Sequence, residues 1–173
     1  MQPDLKRRQS GFSLLELVVV GLVILVVATA SYRQYMSLVV DAEIAAFNGV
    51  RGWLQAGVNL AMSDAISGRA GRRLEDLDGT NPMVLLDSAM VPPSNYLGEL
   101  SGLAAQQAEP GNWYFDLDQR ALFYRFRYRQ AMPGFEQAPD DRVGFELKLL
   151  RSRADNPNNR DQQTLRLEFI PLY

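Results

Sequence analysis

The chain has 173 residues, 18 basic and 20 acidic side chains, no cysteine and no histidine. Without those two residue types it cannot form a disulfide, a Ser-His-Asp or Cys-His catalytic arrangement, or a zinc site built on thiolate or imidazole. A formal net charge of −2 gives the chain no overall attraction for nucleic acid.

The N-terminal part of the chain is a short basic segment followed by an apolar run. Lys6, Arg7 and Arg8 precede the run, which covers residues 12–30. A helix rises about 1.5 Å per residue, so the roughly 20 residues of the 12–31 segment would cross a hydrocarbon core of about 30 Å. The basic residues favour the cytoplasmic side of a membrane. We therefore predict a single membrane pass over 12–31, with the C-terminal domain outside the cytoplasm.

One carboxylate, Glu16, lies near the start of this apolar run. An acidic side chain costs about 2.5 to 3.5 kcal/mol at the centre of a membrane helix and somewhat less near its end, so Glu16 requires a positive partner. Cleavage between Gly11 and Phe12 would create an α-amine about one helical turn from Glu16. That amine could pair with Glu16 of the same chain or, in an assembly, of a neighbouring subunit.

The basic leader, the Gly11-Phe12 pair and Glu16 four residues after the phenylalanine resemble the processing site of type IV prepilins and type II secretion pseudopilins. This resemblance implies that prepilin peptidase removes residues 1–11 at the cytoplasmic face and methylates Phe12, and that Glu16 acts in assembly. It also implies storage in the bacterial inner membrane. The expected partners are membrane lipid, other pilin or pseudopilin subunits, and an inner-membrane assembly platform that extracts the subunit into a periplasmic or extracellular filament.

Two other interpretations of the N-terminus remain open. The small residues Ala28-Thr29-Ala30 also fit the cleavage site of an ordinary secretory signal peptide, which would release a protein that begins at Ser31. A glutamate inside the hydrophobic region, and an apolar run longer than the usual 7 to 15 residues, disfavour that interpretation. The other alternative is an anchor that is never cleaved.

Apolar residues continue at helical spacing beyond the membrane segment. The pattern predicts that residues 32–67 form the amphipathic half of the same long helix. Each glycine inside a helix costs about 1 kcal/mol relative to alanine, so the three in this half indicate close packing or a local bend. They are Gly49, Gly52 and Gly57.

The rest of the chain divides into an irregular region and a region of strands. Turn signals fill residues 68–112, a variable loop region in which Met83–Met90 could form a short helix. Residues 113–173 alternate apolar and polar side chains with period two, which predicts four antiparallel strands. The expected fold class is α+β, and the resemblance implies a pilin-like roll in which the long helix packs on a four-stranded antiparallel sheet.

Three arginines share the polar side of the second predicted strand. Arg125, Arg127 and Arg129 could in principle bind a phosphate backbone. We expect instead a solvated face whose arginines pair across strands with carboxylates such as Asp116 and Asp118, and therefore no nucleic-acid partner.

No cluster of polar residues in the sequence predicts catalysis. Asp140-Asp141 and the polar loop Asp155–Asp161 could supply oxygen ligands to calcium, but neither has the spacing of an EF-hand loop. We therefore predict that the protein is not an enzyme and has no metal and no cofactor.

Two departures from the pilin pattern bear on the role of this chain. Many major pilins close a C-terminal loop with a disulfide and carry a proline in the first half of the long helix. This chain has no cysteine, and it has no proline between Phe12 and Asn81. These departures favour a minor pilin, and residues 81–83, 92–93, 95–99 and 113–116 resemble minor pilins of the mannose-sensitive haemagglutinin system. The alternatives are a secretion pseudopilin and a tip pilin that binds DNA or a surface.

Overall fold

The computed structural model describes residues 13–68, 71, 73–87, 91–128, 134–135, 141–153 and 163–172. The predicted long N-terminal helix is confirmed, because one α-helix, α1, runs from Leu14 to Ile66. The elements that follow it are a 3-10 turn (Leu74–Leu77), α2 (Met83–Asp87), β1 (Tyr96–Leu100), α3 (Gly102–Gln106), β2 (Trp113–Asp116), β3 (Ala121–Arg125), β4 (Arg142–Arg153) and β5 (Gln163–Leu172).

The chain forms two compact units, Met1–Ala42 and Glu43–Tyr173. In the first unit, every side chain from Ser13 to Tyr35 is exposed, including the apolar ones. By length and composition, α1 can cross a membrane. An apolar helix surface that the protein itself leaves uncovered requires lipid or another protein to cover it.

In the second unit, one face of α1 packs on a sheet. Phe47, Val50, Leu54 and Val58 recur every three or four residues and are all buried, as expected for an amphipathic helix. The ring of Phe47 stacks on that of Trp113, with 5.3 Å between ring centroids and an angle of 4° between the planes. An aromatic core therefore joins this half of the helix to the strands.

The sheet has five strands in the order β1-β2-β3-β4-β5, so the prediction of four strands was wrong. The additional strand, β1, pairs parallel to β2, while every other pair is antiparallel. Parallel neighbours need a crossover connection, and α3 lies in the segment that joins β1 to β2. β1 gave little signal in the sequence because it is short, contains Gly98 at a φ of +89°, and shifts register between Tyr96 and Glu99.

Both faces of the central strands are buried, whereas the alternating pattern predicted one polar face. Trp113, Phe115, Leu122 and Tyr124 join the core beneath α1. On the opposite face, a smaller cluster includes residues of α3 and of the segment after it. Its buried members are Ala105, Ala108, Tyr114, Ala121 and Phe123.

A loop covers the edge of β4 beyond the end of β3. Strand β3 pairs with β4 only from Arg142 to Phe145. Farther along β4, the Gly79 N–H donates to the Leu147 carbonyl at 2.7 Å, and the Leu149 N–H donates to Asp78 Oδ1 at 2.7 Å. These two bonds satisfy backbone groups that a missing strand would otherwise leave unpaired.

The three helix glycines have different surroundings. A Cβ at Gly57 would lie 3.4 Å from Leu86 Cδ2 and 3.8 Å from Leu85 Cβ, so α2 packs closely against this glycine. At Gly49 and Gly52 a Cβ would meet no atom within 4 Å. Close packing inside the subunit therefore explains only Gly57.

We predict that Gly144→Ala destabilises the fold by about 1 to 3 kcal/mol, the usual cost of overpacking a core. A Cβ at Gly144 would lie 2.6 Å from Cε1 of Phe123, whose ring contacts both the ring of Tyr114 and the guanidinium of Arg142. The matched control, Gly49→Ala, meets open space and should stabilise the helix by up to about 1 kcal/mol. Urea unfolding of both full-length variants in detergent measures the difference, and equal midpoints would contradict the packing described here.

Candidate functional site

Glu16 lies in the first turn of α1, where the positive end of the helix dipole favours a carboxylate. Its side chain is exposed among exposed apolar neighbours, including Leu14, Leu15 and Leu17. Among the described residues, no ion pair or hydrogen bond is recorded for its carboxylate. The partner amine expected on Phe12, like Gly11 and the leader residues Lys6, Arg7 and Arg8, lies outside the described residues.

The exposed apolar part of α1, in which Glu16 is the single carboxylate, coincides with a known sequence signature. Residues 6–32 match the prokaryotic N-terminal methylation motif. The matched segment contains the basic leader, the Gly11-Phe12 pair and Glu16. No curated protein and no solved structure shows significant similarity to the chain.

The methylation motif supports a pilin-like precursor within the pilin and pseudopilin superfamily. Together with the apolar helix, it supports a protein anchored by a single membrane pass. Proteins with this motif generally assemble with other pilin subunits after the action of prepilin peptidase, and they have structural rather than enzymatic roles. The matched segment ends at residue 32, and the second unit lies outside it.

The two described members of the predicted basic row, Arg125 and Arg127, are engaged in contacts within the subunit. Arg125 Nε pairs with Asp141 Oδ2 at 2.8 Å, and its Nη1 donates to the Ala108 carbonyl at 2.7 Å. The strand ends at Arg125, and Arg127 lies in the bend that follows, where its Nε donates to a backbone carbonyl at 3.2 Å. Arg129 lies outside the described residues.

The aspartates expected to pair with these arginines have other roles. Asp116 is buried, and its Oδ1 accepts the N–H groups of Asp118 and Gln119 at 2.9 and 3.1 Å, which shapes the turn between β2 and β3. Asp118 Oδ2 accepts the Gly102 N–H at 2.7 Å. Arg125 is therefore ion-paired as expected, but its partner is Asp141 rather than Asp116 or Asp118.

The calcium candidates fall largely outside the described residues. Asp140 and the Asp155–Asp161 loop lie there, and Asp141 is engaged by Arg125. In the described part of the chain, no group of three acidic side chains is placed to hold a metal ion.

Sequence analysis missed a cluster of hydrogen bonds around Glu43, the first residue of the second unit. Glu43 Oε1 accepts the Tyr124 hydroxyl and the Arg127 N–H, both at 2.9 Å, and Oε2 accepts the Tyr128 N–H at 3.2 Å. The Glu43 carboxylate thus connects α1 by hydrogen bonds to the end of β3 and to the segment that follows it. Burial raises the pKa of the Tyr124 hydroxyl well above its usual value, and the hydrogen bond to Glu43 and its negative charge raise it further.

A second hydrogen-bonded cluster orders part of the region that the sequence marked as irregular. The buried Asn81 side chain donates to the Tyr96 hydroxyl at 2.8 Å and to Glu99 Oε1 at 3.0 Å, and it accepts the Met83 N–H at 3.0 Å. Burial raises the pKa of the Tyr96 hydroxyl, the Asn81 hydrogen bond opposes this, and the charge of Glu99 adds to it. Asn81 therefore connects α2 to β1.

We predict that the folded domain loses stability as the pH rises above about 10, the ordinary tyrosine pKa. The pKa of Tyr124 is higher in the folded state than in the unfolded chain, so the unfolded chain loses its hydroxyl proton at a lower pH. The stabilisation is therefore fully present below about pH 10 and decreases as the pH rises above it. Tyr124→Phe removes this group and should make the alkaline loss shallower. Part of the loss of stability should remain in this variant, because the pKa of Tyr96 is raised as well. The unfolding midpoints of the full-length protein and of the variant are measured from pH 8 to 11. If the midpoint falls with pH equally steeply in both, Tyr124 is not the cause of the alkaline loss.

Proposed function

We propose that this protein is a pilin-like subunit that prepilin peptidase cleaves between Gly11 and Phe12, methylates on Phe12, and releases for assembly through α1 into a type IV pilus. The observation that carries the proposal is the methylation motif over residues 6–32, because its described part, residues 13–32, has an apolar surface that the protein itself leaves exposed. Before assembly, the helix would cross the inner membrane with its N-terminus in the cytoplasm, as the leader charges favour.

Glu16 would guide docking by pairing with the Phe12 amine of a neighbouring subunit. Removing one member of a buried ion pair leaves the other charge uncompensated, which costs about 3 to 5 kcal/mol. Correct register along the filament would therefore be strongly favoured over any register that separates the two charges. The apolar surface around Glu16 would exchange lipid for the helices of other subunits.

A minor pilin is the specific role we propose, and a type II secretion pseudopilin is the alternative. The absence of cysteine and of helix proline supports the minor role over that of the major subunit. The domain would lie in the periplasm before assembly and in a filament afterwards, with the inner-membrane assembly platform as a transient partner. A tip pilin that binds DNA receives less support, because Arg125 and Arg127 are engaged within the subunit.

Replacing Glu16 with Ala tests the proposal in the native host. We expect cleavage after Gly11 and methylation of Phe12 to persist, while the protein recovered in sheared filaments falls at least tenfold, since about 1.4 kcal/mol already gives a factor of ten. Glu75→Ala, which removes an exposed acid from the 3-10 turn, is the matched control and should assemble normally.

Mass spectrometry of the mature N-terminus completes this test. A methylated Phe12 start is the expected result. A chain that begins at Met1 or Ser31, or normal filament incorporation of the Glu16→Ala variant, would contradict the proposed function.

A further inference from the structure

The second unit contains a cavity of about 420 Å³ that none of the roles described above uses. Arg51, Gly52 and Gln55 of α1 line one side of it. Phe145 of β4 and Phe169 of β5 line another part.

The aromatic residues give the cavity an apolar wall. The rings of Phe145 and Phe169 stack with 4.8 Å between centroids and an angle of 14° between their planes. Phe135 packs edge-on against Phe145, with 6.4 Å between centroids and an angle of 77°. Such a surface favours an apolar or aromatic side chain over a hydrated polar group.

Arg51 is the one charged residue among the described residues that line the cavity. Its side chain is exposed, and no ion pair or hydrogen bond of its guanidinium is recorded within the described part of the chain. A guanidinium beside an apolar wall is suited to bind a carboxylate through two parallel hydrogen bonds. The cavity therefore suits a ligand with an apolar body and an adjacent carboxylate.

Gly52 leaves the α1 side of the cavity open. A Cβ at this position would meet no atom within 4 Å, so nothing in the described fold requires glycine here. Glycine is nevertheless less favourable than alanine inside a helix. The bare backbone at the cavity wall indicates that a group from outside the subunit approaches closely.

The exposed surface of α1 in the second unit indicates that the approaching group belongs to another protein. At the exposed positions of α1 between Glu43 and Ile66, Arg51 is the only charged residue. Trp53 and Leu60 on this surface are about half exposed, at 47% and 50%. A solvated helix surface normally carries many charges, whereas a surface with one charge and with half-exposed Trp and Leu side chains is typical of protein contacts.

We propose that the cavity receives an apolar side chain from another pilin-like subunit, and that a carboxylate next to that side chain pairs with the guanidinium of Arg51. This proposal rests on the proposed function, because it assumes that subunits meet along α1. It adds a second ionic contact to the one assigned to Glu16, and it places that contact in the folded domain.

Photo-cross-linking in the native host tests the proposal on the full-length protein. The amino acid p-benzoylphenylalanine replaces Gln55, which lines the cavity. We expect irradiation to give an adduct with a pilin-like subunit, attached at an apolar residue adjacent to Asp or Glu in that subunit. Arg51→Glu and Arg51→Gln should each lower the adduct yield at least about fivefold, because an anchoring charge pair is lost.

Two further variants sharpen the test. Gly52→Leu fills the mouth of the cavity without meeting any atom of the fold near its Cβ, and it should lower the yield to a similar degree. Arg166→Ala removes an exposed arginine from β5 and is the matched charge control, so it should leave the yield unchanged. Protease resistance of each variant verifies that the domain is folded.

An adduct with lipid alone, no protein adduct, or a yield that does not respond to Arg51→Glu would overturn the cavity proposal. The N-terminus is read from the same material, so the two proposals fail separately. Filaments with a methylated Phe12 and no cavity adduct refute only the cavity contact, whereas a chain that is never cut after Gly11 refutes the proposed function.

Discussion

The structure depends on one constraint, which is that a single helix must suit two kinds of surroundings. Up to Tyr35, α1 exposes all its side chains, so its stability in the cell requires lipid or other subunits. From Glu43 onward the same helix has a buried face and an exposed face, and the buried face includes Phe47, Leu54 and Val58. The change comes from the sequence pattern alone, since the apolar residues become confined to a stripe while the helix continues without interruption.

Polar contacts fix the second unit where apolar packing alone would leave its geometry less defined. Glu43 accepts hydrogen bonds from Tyr124 and from the backbone after β3, and Asn81 donates hydrogen bonds to Tyr96 and Glu99. Both clusters join segments that are distant in the sequence. Tyr124 and Asn81 are buried, and buried polar groups are costly when unpaired. Each cluster therefore favours one arrangement of the chain over competing ones that bury the same apolar area.

Patterns that are local in the sequence predicted their structures well, and contacts between distant residues could not be predicted. Helical spacing identified the long helix, and period-two alternation identified the segments that became β2 to β5. The short parallel strand β1 was not predicted, because Gly98 interrupts its side-chain pattern and its partner strand, β2, follows a crossover connection. Asp116 was assigned to a cross-strand pair because alternation does not show that a carboxylate turns back to bind its own turn. The bond between Glu43 and Tyr124 spans 81 residues, and no local signal marks it.

The loop contacts of Asp78 and Gly79 along β4 have a consequence for encounters between molecules of this protein. An open strand edge pairs readily with the same edge of another molecule, and such pairing propagates into β-aggregates. Here the Asp78 carboxylate and the Gly79 N–H occupy that edge beside Leu147 and Leu149. Two molecules can therefore approach each other closely while this edge of the hairpin stays closed to backbone pairing between them.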